Sequence, residues 1–213
     1  MPRPSPLLLA IAALGPACSS VTAVYQQPGY SAQGPQPIKR IVVAGWGPAS
    51  TGSEGAAGLG DVLAHVAADL IKLRKNYLVY DSRLIKQHWA EGCTDKVEGV
   101  LLVRPLEATP AAGQLRIHLA MELLRCSDGA LTWRAEACDK SAEADADLAQ
   151  LTATYVQQVG EAATRYAAPA FVVLQALVRE LPDPSLTEED INEKIELGGA
   201  DASEMIPPLA QRR

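Results

Sequence analysis

The sequence predicts an α/β (α+β) domain with a mixed sheet of about five strands and a long C-terminal helix. Two apolar runs flank a helix-periodic segment in residues 39–85, which is the pattern of a βαβ unit. Apolar and polar residues then alternate over 115–138, and helical spacing returns over 143–181. We expect the helices over 60–74 and 143–181 on one face of the sheet, because polar residues such as Arg116, His118 and Glu122 leave the other face exposed to solvent.

The βαβ unit begins with a β-branched run at 39–45, which predicts a buried strand. Residues 45–60 are rich in glycine and predict a loop. Apolar residues then recur at helical spacing over 60–74, with His65 on the polar face, so we expect a solvated His65 on an amphipathic helix. Residues 76–85 return as a strand, and the crossover predicts parallel pairing.

The next segment predicts an antiparallel meander. Residues 97–106 are apolar nearly throughout, as in a central strand, and 107–113 predict a turn with Pro and Gly. Strands over 115–124 and 130–138 alternate in polarity around the Asp-Gly pair at 128–129, which is a strong hairpin signal. One face of the meander is therefore expected in the core and the other in water.

A long helix is expected over 143–181, with Pro169 kinking or restarting it. A second, short helix over 185–197 would be capped by Thr187 with Asp190. The chain then divides into a signal peptide (1–17), a flexible tether (18–37), a single α/β domain (38–182), and a short helix with a disordered tail (183–213).

The N-terminus has the parts of an export signal. One cation, Arg3, precedes the apolar run 7–14, and the small residues 15–17 stand before Cys18. This arrangement resembles a bacterial lipoprotein signal, in which the cysteine becomes the lipidated first residue of the mature chain. The usual leucine three positions before the cysteine is replaced by Gly15. The alternative is plain secretion, which would leave Cys18 able to form a disulfide.

Cysteine usage agrees with export. In an oxidising compartment we expect two of Cys93, Cys126 and Cys138 to pair and one to be left over. The hairpin at 128–129 places Cys126 opposite Leu131, so Cys126 and Cys138 are not a direct cross-strand pair. Cys93 can pair with either of the other two.

Three segments carry a resemblance to known proteins: the strand 39–43, the helix 59–73 and the strand 77–84. Over 39–181 the chain resembles the periplasmic domain of small envelope lipoproteins. These include the curli-secretion channel lipoprotein and the lipoprotein activator of penicillin-binding proteins, which share an anticodon-binding-domain-like α/β layout. The resemblance implies a scaffold or assembly role and brings no catalytic residue. The chain lacks the amphipathic transmembrane hairpin of a channel, so no pore is expected.

Charge and motif content exclude several classes of function. Nineteen Lys and Arg against 25 Asp and Glu give a net charge of −6, which argues against nucleic acid as a partner. The glycine-rich loop 45–60 lacks the spacing of a phosphate-binding loop. His88 and His118 have no closely spaced ligand pair beside them, so we expect no metal and no cofactor. Trp133 is expected in the core, whereas Trp46 and Trp89 adjoin loops and could mark a partner surface.

The sequence therefore favours a non-enzymatic, lipid-anchored envelope protein that acts as a binding, scaffold or assembly module. Its expected partners are the membrane, through the anchor at Cys18, and an envelope protein or further copies of itself. Ser19 after the cysteine favours the outer membrane, facing the periplasm, over a soluble periplasmic or secreted form. The alternative is an exported hydrolase or transferase with a site around Ser50, Thr51 and Ser53; the absence of a base beside these hydroxyls argues against it.

Overall fold

Six strands form one mixed sheet in the order β1-β6-β5-β4-β2-β3. The computed structural model describes residues 20–47, 58–111, 114–142 and 145–198. The strands are β1 (Ser20–Gln26), β2 (Arg40–Trp46), β3 (Leu78–Ile85), β4 (Gly99–Ala111), β5 (Gln114–Arg125) and β6 (Leu131–Ala142). The helices are α1 (Leu59–Arg74), α2 (Ala149–Val159), α3 (Ala162–Glu180) and α4 (Glu188–Glu196). The predicted fold class is confirmed.

The βαβ unit is present as predicted. Strand β2 pairs in parallel with β3 on one side and with β4 on the other, and α1 connects β2 to β3. The first turn of α1 lies directly against the end of β2. A Cβ added at Gly45 would come within 1.7 Å of the carbonyl oxygen of Gly60. Only glycine at position 45 permits this close approach.

The antiparallel meander is longer than its predicted strands. Strand β4 continues to Ala111 and β5 starts at Gln114, so the expected turn over 107–113 is mostly strand, with an irregularity in the ladder between Pro105 and Glu107. The second hairpin turns where the Asp-Gly pair predicts it, and Gly129 has a φ of 73°.

A sixth strand, β1, lies within the segment 18–37 that the sequence predicted to be a flexible tether. It pairs antiparallel with β6, with Ser20 opposite Cys138, and it forms one edge of the sheet. Tyr30, in the same segment, is buried. The prediction of a tether is wrong here because the sequence SVTAVYQ is uncharged and rich in β-branched residues, which favour a strand. Its backbone pairs with the backbone groups along the free edge of β6.

The predicted helix over 143–181 consists of two helices. Strand β6 runs through Ala142, and α2 and α3 are separated at Gly160, whose φ of 87° no α-helix accommodates. Pro169, the expected kink, lies inside α3 and is buried. The short helix predicted over 185–197 is confirmed as α4, and the Thr187 hydroxyl accepts a hydrogen bond from the Asp190 amide.

Helices α1 and α3 cover one face of the sheet, as the alternation of apolar and polar residues along the strands predicts. The main core forms between them and the inward side chains of the strands, with Trp133, Phe171 and Leu101 among its fully buried members. None of the described helices combines the length and the apolar character that a bilayer crossing requires. A second, smaller apolar cluster lies on the opposite face of the sheet, and it positions the candidate site.

Candidate functional site

The smaller cluster brings together residues that are distant in the chain. Ala44, Ile85, Val100 and Leu102 project from β2, β3 and β4, away from the main core. Trp46, Trp89, Cys93 and Cys126 pack over these four side chains and are each half-buried. We call these four covering residues the tryptophan surface. The two tryptophans that the sequence singled out therefore lie on the same apolar cluster.

A disulfide joins Cys93 to Cys126, with 5.8 Å between their Cα atoms. Cys93 follows the 3₁₀ turn Trp89–Gly92, and Cys126 follows β5, so the bond ties that turn to the sheet. This is one of the two pairings that the sequence left open. Cys138 is not a free thiol either, so the expectation of a leftover cysteine does not apply to it.

The turn that carries Trp89 is fixed by local hydrogen bonds. His88 caps it: the Ala90 amide donates to His88 Nδ1 at 3.2 Å, and the Glu91 carboxylate accepts from the His88 amide at 2.8 Å. The Trp89 ring lies against the β5–β6 turn, where an added Cβ at Gly129 would come within 3.1 Å of the ring. Trp89 is therefore held in one position on the face of the sheet.

A cleft of about 750 Å³ opens on the other side of the disulfide. It lies at the ends of β2, β4 and β5, and its wall includes both half-cystines. Its charged lining residues are Lys39, Arg40, Asp95, Glu98 and Arg125.

Four of these charged residues are engaged with one another or with neighbouring groups: Lys39, Arg40, Glu98 and Arg125. The Glu98 carboxylate accepts the Lys39 and Arg40 amides at 2.6 and 3.1 Å, and the Arg40 guanidinium at 3.2 Å. Arg125 forms an ion pair with Asp128 at 3.1 Å. A hydrogen bond from Arg40 to Glu193 raises the pKa of Arg40, which stays charged. The Glu98 carboxylate therefore links the starts of β2 and β4 through its bonds to the Lys39 and Arg40 amides.

A strip of charged residues crosses the same face over β4, β5 and β6. Glu122 is nearly buried between two arginines, at 3.3 Å from Arg104 and 2.7 Å from Arg134. The Glu136 carboxylate forms an ion pair with the Arg134 guanidinium at 2.5 Å, and it lies 3.5 Å from Nε2 of His118. The predicted wet face is thus a network of alternating charges, in which Glu122 is shielded by its two cationic partners.

The histidines do not converge on one site. His65 lies on α1 with its Nδ1 2.9 Å from the Asp61 carbonyl, His88 caps the 3₁₀ turn, and His118 belongs to the charged strip. Within residues 20–47, 58–111, 114–142 and 145–198, no three His, Cys, Asp or Glu side chains are arranged to hold a metal. The signal peptide, Cys18, Ser50, Thr51 and Ser53 lie outside the described residues.

Sequence reasoning missed the charged lining of the cleft. Glu98 and Arg40 stand at the ends of two strands, and they meet because β2 and β4 are parallel neighbours; the Glu98 amide donates to the Arg40 carbonyl at 2.8 Å. Neither residue belongs to a motif, so the sequence held no signal that would single out the pair.

Comparison with known proteins finds similar solved structures but no matching family model and no matching curated protein. The PelC dodecamer from Paraburkholderia phytofirmans is 14% identical, with a TM-score of 0.41, over 73% of this chain and 98% of that one. Protein XCC0632 from Xanthomonas campestris is 14% identical, with a TM-score of 0.39, over 76% and 90% of the two chains. Lipoprotein GNA1162 from Neisseria meningitidis is 16% identical, with a TM-score of 0.32, over 57% and 97%. These values give no ground for transferring a function.

Proposed function

We propose that this protein is a lipid-anchored, non-enzymatic module of the bacterial cell envelope that binds another envelope protein through the tryptophan surface. The observation that carries the proposal is the position of Trp46, Trp89 and the Cys93–Cys126 disulfide, half-exposed on the face of the sheet opposite α1 and α3. Tryptophan is enriched among the residues that dominate the energy of protein interfaces.

The tryptophan surface is organised before any partner arrives. The disulfide, the His88 cap and the contact of Trp89 with the turn at Gly129 each restrict the segment that carries the indole ring. A side chain that is already fixed loses less conformational entropy on binding than a mobile one. Preorganisation of this kind favours recognition of a folded protein surface.

The charged strip supplies a polar border on the same face. Arg104, Arg134 and Glu136 are partly exposed, and each belongs to an ion pair with Glu122 or with a neighbour. Rim charges of this type favour the correct orientation of a partner and contribute more to association rate than to affinity. An apolar centre with a charged rim is the usual layout of a protein interface.

Two features support a membrane-anchored envelope location. Disulfides such as Cys93–Cys126 persist in oxidising compartments. The expected signal peptide covers residues 1–17 and β1 begins at Ser20, so a lipid on Cys18 would hold the domain within about 7 Å of its anchor point. Such an anchor keeps the tryptophan surface at a high effective concentration near a membrane partner.

Mass spectrometry of the mature protein tests the anchor. We expect the chain to begin at Cys18 with a lipid attached through its sulfur. A cleavage site elsewhere, an unmodified Cys18, or a disulfide between Cys18 and Cys138 would contradict the proposal. The last outcome is chemically open because Ser20 lies opposite Cys138, and a disulfide would leave no thiol for the lipid.

Complementation of a deletion strain tests the surface. Trp89→Ala and Cys18→Ala should each fail to complement, whereas Tyr25→Ala, a matched loss of an exposed aromatic side chain on β1, should complement fully. Ser50→Ala and Thr51→Ala should also complement. If one of those two abolishes function while Trp89→Ala does not, the protein belongs to the alternative class of exported hydrolases or transferases.

A further inference from the structure

Helix α4 is attached to the rest of the molecule by its polar face. The Asp190 carboxylate is only 4% exposed and pairs with Lys39 at 2.7 Å and Arg40 at 3.0 Å. The Glu193 carboxylate accepts hydrogen bonds from the Arg40 guanidinium at 2.6 Å and from the Tyr80 hydroxyl. These contacts place α4 beside β3, where the Tyr80 hydroxyl and the cations at the start of β2 bind it.

A third attachment turns the only cation of α4 inward. The Lys194 ammonium donates to the Lys75 carbonyl at 2.6 Å, just after the end of α1. Together with the Thr187–Asp190 capping box, these bonds hold the nine-residue helix in one orientation. The face of α4 that looks away from the domain is therefore well defined.

That outward face is the apolar one. Ile191 is 48% exposed and Ile195 is 62% exposed, and at four residues apart they lie side by side on the helix. Helices at a protein surface normally bury their apolar stripe and expose their polar one. In α4 this arrangement is inverted. Only five large hydrophobic side chains are exposed within the described ranges, and α4 carries two of them.

The outward face is also acidic. Glu188 and Asn192 flank the two isoleucines at helical spacing, and Glu189 and Glu196 follow farther around the helix; all four are exposed. Because Lys194 is turned inward, no cation of α4 offsets these carboxylates. The surface that α4 offers is thus an apolar pair bordered by negative charge.

We propose that the outward face of α4 binds a protein other than this chain, in an apolar groove bordered by Lys and Arg. Charge complementarity selects this occupant, because a basic border pairs with Glu188 and Glu196 while the groove takes Ile191 and Ile195. An anionic lipid surface repels the same carboxylates. Two copies meeting through this face would place their carboxylates against each other, in a chain of net charge −6.

This surface is separate from the tryptophan surface, so the two proposals fail independently. The test places a photo-crosslinking amino acid at Asn192 in the full chain in living cells. Exposed Gln157 on α2 serves as the control position. We expect one dominant adduct from position 192, to a single protein identified by mass spectrometry, and none of that mass from position 157.

Variants then test whether the adduct depends on the two isoleucines and on the negative charge beside them. Ile191→Ser with Ile195→Ser should lower the adduct yield at least tenfold, whereas Ile191→Leu with Ile195→Leu should preserve it. Glu188→Lys should also lower it, and Trp89→Ala should leave it unchanged. Because both isoleucines are exposed, the melting temperature of the serine variant should match that of the parent, which separates loss of binding from loss of folding.

Several outcomes would overturn the proposal. An adduct of twice the mass of the chain would show a second copy, and an adduct to lipid would show a membrane contact. Equal yields from positions 192 and 157, no adduct at all, or a yield that the serine variant leaves unchanged would show that α4 has no such partner. A partner whose contact site is acidic would contradict the charge argument.

Discussion

Removal of the Cys93–Cys126 disulfide should lower the free energy of unfolding by about 4 kcal/mol. The two cysteines are 33 residues apart in sequence, and the loop-closure relation for a loop of that size gives this value at 25 °C. The bond restricts the unfolded chain, so the loss should appear even if the folded structure hardly changes. The slope of the unfolding transition against denaturant should rise, because the unlinked chain exposes more surface.

The assay is equilibrium unfolding in urea, followed by tryptophan fluorescence. The double variant Cys93→Ser/Cys126→Ser is preferable to a reductant, because a reductant would also reach Cys138, which is not a free thiol. The matching Cys93→Ala/Cys126→Ala variant separates loop entropy from the cost of placing hydroxyl groups in the smaller apolar cluster. Both variants should lose nearly the same free energy.

A loss below about 1 kcal/mol in both variants would refute the loop-entropy argument. It would show that the unfolded chain already keeps the segment between Cys93 and Cys126 closed, for example through residual pairing of β4 with β5. A loss confined to the serine variant would assign the effect to buried hydroxyl groups instead.

Three further predictions concern single residues. Gly45→Ala should lower the melting temperature by about 6 °C or more, measured by circular dichroism, because its Cβ collides with the backbone of α1. The Tyr155 hydroxyl donates a hydrogen bond to the Asp69 carboxyl at 2.8 Å, so Tyr155→Phe should cost about 1–2 kcal/mol in urea unfolding. Burial raises the pKa of Asp69, so the stability that the Asp69 carboxyl contributes declines as the pH rises through its folded pKa. Asp69→Asn removes this decline, because the asparagine amide does not ionise, and should not destabilise the protein at pH 7. The hydrogen bond from Lys39 lowers the pKa of Asp190, so the stabilisation by this carboxylate is present above the ordinary aspartate pKa and is lost as the pH falls through the lower folded value. The protection factors of the α4 amides, which correct for the pH dependence of intrinsic exchange, should therefore fall below about pH 4. In Asp190→Asn these protection factors should be low at neutral pH as well.

The parts of the fold that the sequence predicted are those with a clear period. The alternation across β5 and β6 and the helical spacing of α1 each indicate which face is buried, and both are confirmed. Strand β1 was missed because Gln, Pro and Gly follow it, and they dominate the composition of the segment. The division of the long helix was misplaced because Pro169 is a stronger break signal than Gly160, although only the glycine has a φ outside the helical range.

The candidate site was predictable only where chemistry and spacing coincide. The hairpin geometry argued against a direct Cys126–Cys138 pair, and the structure pairs Cys93 with Cys126. Trp46 and Trp89 lie on the same apolar cluster because the 3₁₀ turn folds back over the sheet. No helical or strand periodicity in the sequence predicts that turn. The inverted polarity of α4 depends on cations 150 residues earlier in the chain, at the start of β2.

The pairing of β1 with β6 sets an order of events during synthesis of the chain. Thr22 and its β6 partner Glu136 are separated by 114 residues, so the edge strand has no neighbour until the meander has been made. At a synthesis rate of about 10 residues per second this wait lasts roughly 10 seconds. During that interval β1 cannot pair with β6, because β6 has not yet been made. The strand that is translated first among the six is therefore unable to dock until the meander is complete.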